Sequence, residues 1–557
     1  MNKTFVILTI ILFVGIFLRF YRLGEIPVGL HRDEAFLGYN AYSILKTGQD
    51  MSGNFLPLHL KSFLFSPALY SYFSIPFIAL FGLSAFSTRF ASAFFGSATV
   101  ILVFFLSLEL FAKYKNRAII SLLSAFFLAI SPWHINLSRT ATENTIVVFF
   151  ISLGTLLFLI WLRNRRILFL GASFLFYSLT LVIYQAPRAF LPLFIPMLII
   201  FSFSKIKETR DRFIIIFMFL VLILIPLFFI LTSRDLSLRI QTVSVFSTEE
   251  TKLTLDRYFR EDGVDSIPPR IARVFHNKFT GYSQVFLKNY FNHFSYNFLF
   301  TDYGFPDRYR IPGMGLLYIY ELPFILFGIW ELLKTKTRTS LLLIGWILLA
   351  PVGSALTFDD VPNLQRTLLI FPALSLIVAA GIGSFYNIIK NIKAKKQLAF
   401  AVFALFISYS LSFYLHEYYV HAPVYNPWYR QDGYKTLVAE TNISLPNYKK
   451  AIITNRESAP AIFFLFFTKY SPAAFQSETK NTTMHDFDRI NFAKYEFSQE
   501  QCPLKTAIGE DGVAKVIGEK DVLYVNSGLC DVPKDIKILG KVKREDNSLV
   551  FTILSFK

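Results

Sequence analysis

Eleven apolar stretches, each near the ~17–24 residues that cross a bilayer core as helix, punctuate this chain at about 4–20, 88–111, 118–132, 144–162, 167–184, 189–204, 213–231, 313–333, 340–356, 366–388 and 398–415. Nothing else constrains the fold as strongly, because a backbone inside hydrocarbon must satisfy its own hydrogen bonds and so must be helical or form a closed barrel. A twelfth apolar run, 66–82, is short and is interrupted by Pro76. With 54% hydrophobic residues and 64 Phe in 557 residues, the composition excludes an ordinary soluble domain. The sequence therefore predicts a polytopic α-helical membrane protein.

The net charge of +18 could point to nucleic acid, but its distribution points elsewhere. Basic clusters fall at Lys113/Lys115/Arg117, Arg163/Arg165/Arg166, Lys205/Lys207/Arg210/Arg212, Lys334/Lys336/Arg338 and Lys390/Lys393/Lys395/Lys396. The positive-inside rule makes all five cytoplasmic. They alternate correctly from a cytoplasmic N-terminus only if 66–82 does not span but lies on or dips into the outer face. This leaves eleven spans and places the C-terminus outside, in a multi-pass protein of the cell membrane with no nucleic-acid partner. The first segment carries no small-residue cleavage site and reads as a retained anchor rather than a signal peptide. The outer loops are then 21–87, with juxtamembrane helices, 133–143, 184–188, the long 232–312, 357–365, and everything after about 416.

A membrane module of residues 1–415 is thus followed by a region, 416–557, of different character. Runs such as "KKAIITN", "DVLYVNS" and "LVFTILSF" alternate with "SAPAIFFLFFTKY", the pattern of a small extracytoplasmic α/β domain. Both cysteines, Cys502 and Cys530, lie in it. Outside the cell a disulfide is permitted, and two buried free thiols are the alternative. The chain has no CxxC, no HExxH and no repeat of fixed period.

Directly after the first span comes "GLHRDEAFLGYNAYSILKTGQD". Its "DEAFLGYNAYSILKTG" predicts an amphipathic helix on the outer membrane surface, starting at Asp33 and closing at Gly48. The modest explanation of the paired acids is that Asp33 caps this helix and Glu34 complements its dipole. Other outer loops hold further ionisable groups: His134, Arg139 and Glu143 in "SPWHINLSRTATENT", Tyr184 and Arg188 in "YQAPR", Arg239, His276 and His293 in the long loop with "TDYGFPDRYR", and Asp359, Asp360 and Arg366 in "FDDVPNLQR". Four residues apart, Arg139 and Glu143 would share a helix face and could simply pair. Ionisable groups at membrane boundaries are costly unless paired or lining a wet cavity. Their accumulation on one face describes an outward-facing site for an anionic, membrane-borne substrate.

The motif P-x-G-L-H-R-D-E-A-F-L-G-Y-N-A-Y-S-I from Pro27, the "SPWHINLSRTATENT" segment and Y-Q-A-P-R resemble the polytopic GT-C glycosyltransferases. The resemblance is to the protein O-mannosyltransferase, lipid A aminoarabinose transferase and bacterial Rgt-type group, and it covers about residues 1–390. It implies transfer of a sugar from a polyprenyl-phosphate carrier to an acceptor lipid, glycan or protein. It also implies that Asp33 matches the acid of the first outer loop, the presumed catalytic base, and that Arg139 and Glu143 match an Arg followed by an acid in the second. Two departures stand out. Ser66 precedes Pro67 where several relatives have a basic residue, for which Lys61 or His59 would have to substitute, and Glu143 stands where many have Asp.

The chemistry suits these residue types. Displacing a phosphate monoester from an anomeric carbon needs no general acid, because the leaving group is already good. It needs a carboxylate to take the proton of the incoming hydroxyl and cations to hold the departing phosphate. Asp33 is the expected base with Glu34 in support, and Arg139, Arg188 and Arg366 are phosphate-clamp candidates. Glu143 would orient Arg139 or bind a sugar hydroxyl. One carboxylate acting directly on the acceptor predicts inversion. Adjacent carboxylates permit a divalent metal, but no ligand set is spelled out and no metal is expected to be obligatory. The rival classes are a lipid or glycan transporter or flippase, and a non-catalytic scaffold of the same fold. A transporter would place charges at mid-membrane in broken helices, whereas here they sit at the ends of the spans.

Overall fold

The computed structural model describes residues 3–60, 66–233, 242–264, 267–335, 337–389, 393–480, 490–508, 514–533 and 536–556. The chain is a multi-pass membrane protein. Among the described residues eight helices are long and apolar enough to cross a bilayer: Lys3–Phe20, Ala85–Leu110, Glu143–Asn164, Ala186–Lys205, Thr209–Thr232, Arg338–Ala355, Leu368–Ile389 and Gln397–His421. A ninth is formed if Arg117–Ile130 and Pro132–Ser138, bent by 58° at the break, count as one. The remaining two expected spans are helical but short, Ile167–Ile183 and Glu321–Thr335.

The differences from the expected boundaries have local causes. Pro132 cannot donate a backbone hydrogen bond, and Ser131 before it is extended, as a residue preceding proline prefers. Segment 313–333 becomes helical only at Glu321, because Pro312, Gly313 and Gly315 hold its start in turns. Segment 213–231 passes through a π-helical turn, Leu220–Leu224, just before Pro226, where the ladder must absorb a missing donor. The run 66–82 forms the helix Leu69–Phe81, too short to cross. Half of "SLRIQTVSVF", expected as a surface helix or strand, lies outside the described residues.

The chain divides into two compact units. One comprises Met1–Arg19, Phe94–Ser138 and Glu143–Tyr414 and holds most of the apolar helices. Its helices Glu321–Thr335 and Phe371–Ile389 approach so closely that a Cβ on Gly328 or Gly381 would collide with a carbonyl of the other helix, the use of small residues by which membrane helices pack without a hydrophobic driving force. The long loop is itself helical over Glu249–Val264, Pro269–Phe275, Lys278–Asn292 and Tyr296–Phe300.

The other unit comprises Phe20–Ala93, Arg139–Thr142 and Leu415–Lys557. The hairpin β1 (His59–Leu60) and β2 (Ser66–Pro67) belongs to its first segment. A five-stranded sheet is built from β3 (Lys450–Thr454), β4 (Tyr495–Ser498), β7 (Val522–Ser527), β8 (Ile536–Lys543) and β9 (Leu549–Phe556) in the order β4-β3-β7-β9-β8, and β5 (Lys505–Ile508) pairs with β6 (Ala514–Ile517) apart from it. Strand β3 runs parallel to β4 and β7, and β9 antiparallel to β7 and β8. All of β7 is buried, and so is every residue of the flanking helix Pro460–Phe467 except its last. Cys502 and Cys530 form a disulfide.

The first-loop helix, Arg32–Thr47, is packed into this unit, which corrects the expectation of a helix resting on the membrane surface. Ten of its sixteen residues are buried, on all sides. A Cβ on Gly38 would meet Thr88 Oγ1 at 2.5 Å and the Phe466 ring at 2.7 Å, so only glycine fits there. Tyr39 donates to Tyr470 O at 3.0 Å and Gln476 Nε2 donates to Ser43, Thr47 and the Asp50 carbonyl.

Candidate functional site

The N-terminus of the Arg32–Thr47 helix is held from several directions. His31, not Asp33, is its N-cap: His31 Nδ1 accepts from Asp33 N, and the His31 N–H donates to Glu34 Oε2 at 3.3 Å, closing a capping box. Gly29, at φ +73°, brings the approach loop against the backbone of Arg430, where a Cβ would lie 2.6 Å from the carbonyl oxygen. The Arg32 N–H donates to Gln431 Oε1 at 2.6 Å.

The two adjacent acids meet opposite fates. Glu34 is buried and receives Arg89 Nε and Nη2, each at 2.9 Å, and the Ala141 N–H at 2.8 Å. Burial alone would push its carboxyl up, but the Arg89 charge and these hydrogen bonds outweigh burial and hold it below the usual carboxylate range. Arg89, itself fully buried, also donates to the carbonyls of Leu23, Pro27 and Gly29. Glu34 is therefore the knot tying the approach loop, the Ala85–Leu110 helix and residues 139–142. Asp33, one residue earlier, keeps 45% of its side chain exposed, with His31 Nδ1 at 3.3 Å and Arg32 Nε at 4.0 Å. A half-exposed carboxylate on a rigid buried helix can accept a proton. Arg89 escaped the sequence reading, although an arginine inside an apolar segment was signal enough.

Arg139 is wholly buried. Its Nη2 donates to Tyr21 O at 2.7 Å and Ile26 O at 2.9 Å, its Nε to Tyr418 Oη at 3.2 Å, and its guanidinium faces the Tyr418 and Tyr419 rings at 5.3 Å. It sits in the non-helical break 139–142, while Glu143 begins the next helix, so the two residues do not lie along a single helix. His59 stands opposite Pro67 in the β1–β2 hairpin, next to the motif position it was expected to serve. Lys61 and Arg239 lie outside the described residues.

In the unit that holds most of the spans, His134 is buried and its Nδ1 contacts Arg19 Nη2 at 2.9 Å. Arg19 in turn donates to the carbonyls of Gly15, Leu128 and Ala129, so both groups serve packing. Arg188 differs. It is the third residue of the helix Ala186–Ser202, its Nε donates to Leu181 O at 3.0 Å, and its buried Nη2 has no hydrogen-bond partner among the described residues. A buried guanidinium nitrogen without an acceptor, one turn inside a helix N-terminus, is suited to an anion. The start of this helix is close-packed against Gly353, whose Cβ would lie 3.1 Å from Ala186 O.

The loop "FDDVPNLQR" closes on the same unit. Arg366 Nη1 donates to Thr357 Oγ1 (2.6 Å), Asp359 O (2.9 Å) and Asp359 Oδ1 (3.1 Å), and Tyr184 lies near enough to act electrostatically on it. Asp360 is exposed at φ +51°. His293 anchors the loop: its Nε2 meets Ser354 Oγ at 2.8 Å and accepts from Asn363 N, and its Nδ1 donates to Asn289 O. His276 instead pairs with Asp262 at 3.3 Å. Burial first, and then the Arg366 charge, push the His293 imidazole down to about 4. Against an unfolded value of about 6.5, folding holds it neutral, so its contribution is complete above about pH 6.5 and falls by roughly 3 kcal/mol as the pH drops towards 4. Thermal unfolding between pH 7 and pH 4.5 should show this loss, and His293→Gln should flatten it.

Fold and site define a class: a multi-pass helical membrane protein with an α/β domain, in which Asp33 stands half-exposed on a buried helix and, separately, Arg188 keeps a buried nitrogen with no hydrogen-bond partner among the described residues. Among solved structures, ArnT from Cupriavidus metallidurans in the apo state is similar with a TM-score of 0.49 at 12% identity, covering 99% of this chain and 97% of that one. The same protein bound to undecaprenyl phosphate gives 0.49 at 11%, with the same coverage. The oligosaccharyltransferase AglB from Archaeoglobus fulgidus, in complex with an inhibitory peptide and a dolichol-phosphate, gives 0.47 at 11% over 84% of this chain, which spans only 63% of AglB. No protein-family model and no curated protein sequence matches the chain.

Proposed function

We propose that this chain is an integral-membrane glycosyltransferase that moves a sugar from a polyprenyl-phosphate carrier to an acceptor hydroxyl on the extracytoplasmic face of the cell membrane. The observation that carries this reading is the contrast between the adjacent acids: Glu34 has both oxygens consumed by Arg89 and Ala141, and Asp33 is presented half-exposed on the helix they lock. Asp33 takes the proton of the acceptor hydroxyl as its oxygen attacks the anomeric carbon and the phosphate departs with the bonding electrons. Arg188 and Arg366 hold the phosphate as charge builds on it. Arg139 acts by position, holding the approach loop to Tyr418. His59, Lys61 and Glu143 complete the donor-binding set. Residues 416–557 keep the Asp33 helix in place. A single direct displacement inverts the anomeric configuration.

Reconstitution tests this reading. Purified protein in liposomes is offered a panel of polyprenyl-phosphate sugars with hydroxyl-bearing lipid, glycan and peptide acceptors, and consumption of one donor with release of polyprenyl phosphate is the expected result. No turnover of any donor, or a product with retained configuration by NMR, would overturn the reading. Arg188→Met should raise the donor KM by about 10–100-fold, the worth of a charge-assisted hydrogen bond. Because this change removes a buried charge with an unpartnered nitrogen, it should leave the unfolding temperature unchanged or higher.

A further inference from the structure

The long apolar helix Gln397–His421 ends in a π-helical turn, Glu417–His421, and this turn assembles three potential metal ligands that the sequence "HEYYVH" does not advertise. In a regular α-helix residues five apart point about 140° away from each other. Here the Ala422 N–H closes on Glu417 O at 2.7 Å, an i→i+5 bond, and the wider turn brings His421 edge-on to His416 with ring centroids 5.0 Å apart. Both imidazoles converge on the carboxylate between them: His416 Nδ1 lies 3.2 Å from Glu417 Oε1 and His421 Nδ1 lies 2.7 Å from Glu417 Oε2. The ligand atoms of the three residues all lie within 4.8 Å of one another. Tetrahedral bonds of about 2.0–2.1 Å to zinc require donor atoms ~3.3 Å apart, so small side-chain rotations suffice.

Charge and access agree with the spacing. The Glu417 side chain is only 6% exposed, and its carboxylate is partnered, among the described residues, by these two imidazoles. A divalent cation would add charge to that of this buried site, and imidazole with carboxylate is a donor set for zinc-type ions. Each imidazole is 54% exposed, which leaves an entry path and a coordination position for water. The same turn also carries Tyr418 and Tyr419, which hold Arg139.

We propose that His416, Glu417 and His421 form a binding site for a zinc-type divalent ion, which fixes the π-turn that presents Tyr418 and Tyr419 to Arg139. The site is independent of the transferase reading, and its test needs no activity. Full-length protein carrying a tag without histidine is stripped with EDTA in detergent and titrated with Zn(II) alone by calorimetry. One equivalent should bind per chain, and zinc should raise the unfolding temperature. His416→Ala/His421→Ala should lose at least about a hundredfold in affinity, more than loss of an outer-shell partner costs, together with the thermal shift. His276→Ala should change neither. If the double variant does not fold, His421→Gln, at a half-exposed position, makes the same comparison. A wild-type protein that takes up no zinc, or variants that bind it as tightly as wild type, would overturn the site and show the trio to be a hydrogen-bonded clasp. Loss of zinc binding that His276→Ala reproduces would overturn it equally.

Discussion

Asp33→Asn should reduce sugar transfer by about 10²–10⁴-fold, the range a general base contributes, while leaving the protein folded. The substitution keeps the shape of the side chain and removes its proton affinity. The helix is capped by His31 rather than by Asp33, whose side chain is half-exposed beside His31 and a partly buried Arg32, so the expected loss of stability is under about 1 kcal/mol. The loss should fall on kcat, because the proton is transferred only in the transition state, and the donor KM should change little. Initial rates with a saturating polyprenyl-phosphate sugar, set beside a melting curve in the same detergent, make the measurement. Activity of the Asp33→Asn variant within tenfold of wild type would remove Asp33 from the chemistry, and failure of that variant to fold would make Asp33 structural.

Glu34→Gln, the same chemical change one residue later, should have the opposite outcome. It leaves the Arg89 guanidinium buried without its counter-charge, and breaking such a pair from one side costs about 3–5 kcal/mol. The consequence should be a lowered unfolding temperature and poor recovery from the membrane, whether or not activity survives in the folded fraction. Adding Arg89→Met should recover much of this loss, since removing both charges is far cheaper than stranding one. The acid response follows from the lowered Glu34 carboxyl. A folded pKa below the unfolded one stabilises at pH values above the unfolded value of about 4.5, and that stability is lost as the pH falls through the folded value. Below about pH 4.5 the wild type should therefore lose stability that Glu34→Gln has already lost. A double-mutant cycle read by thermal unfolding decides the matter: additive effects would mean the two residues do not support each other.

The two predictions show what could be read in advance. Adjacent acids after the first span marked the place, but nothing in "RDEA" says which of them is buried. That is decided by Arg89 and by the backbone N–H of Ala141, 55 and 107 residues away. Likewise "YQAPR" and "SPWHINLSRT" each offered an arginine at the end of a span. Only the fold separates Arg188, with a nitrogen left over, from Arg139, which is turned onto loop carbonyls and tyrosine rings. The amphipathic pattern of residues 33–48 correctly announced a helix ending at Gly48, which is in the left-handed region as a C-cap requires. It misjudged the surroundings, because a helix enclosed by protein and a helix lying on lipid bury the same apolar side chains.

By itself the sequence determined what depends on neighbours along the chain. Each expected span contains a helix, since hydrocarbon leaves an apolar run no other way to pair its backbone, and the strands β3, β7 and β9 lie where β-branched and aromatic residues cluster between turns. Tertiary structure alone decided what depends on partners remote in the chain: the neutralising of Glu34, the clearance at Gly38 that only Thr88 and Phe466 define, and the sparing of Arg188. Charge burial and close packing are properties of three-dimensional neighbourhoods. Residues 416–557, which matched no motif, supply Gln431, Phe466, Tyr470 and Gln476 to the helix that carries Asp33.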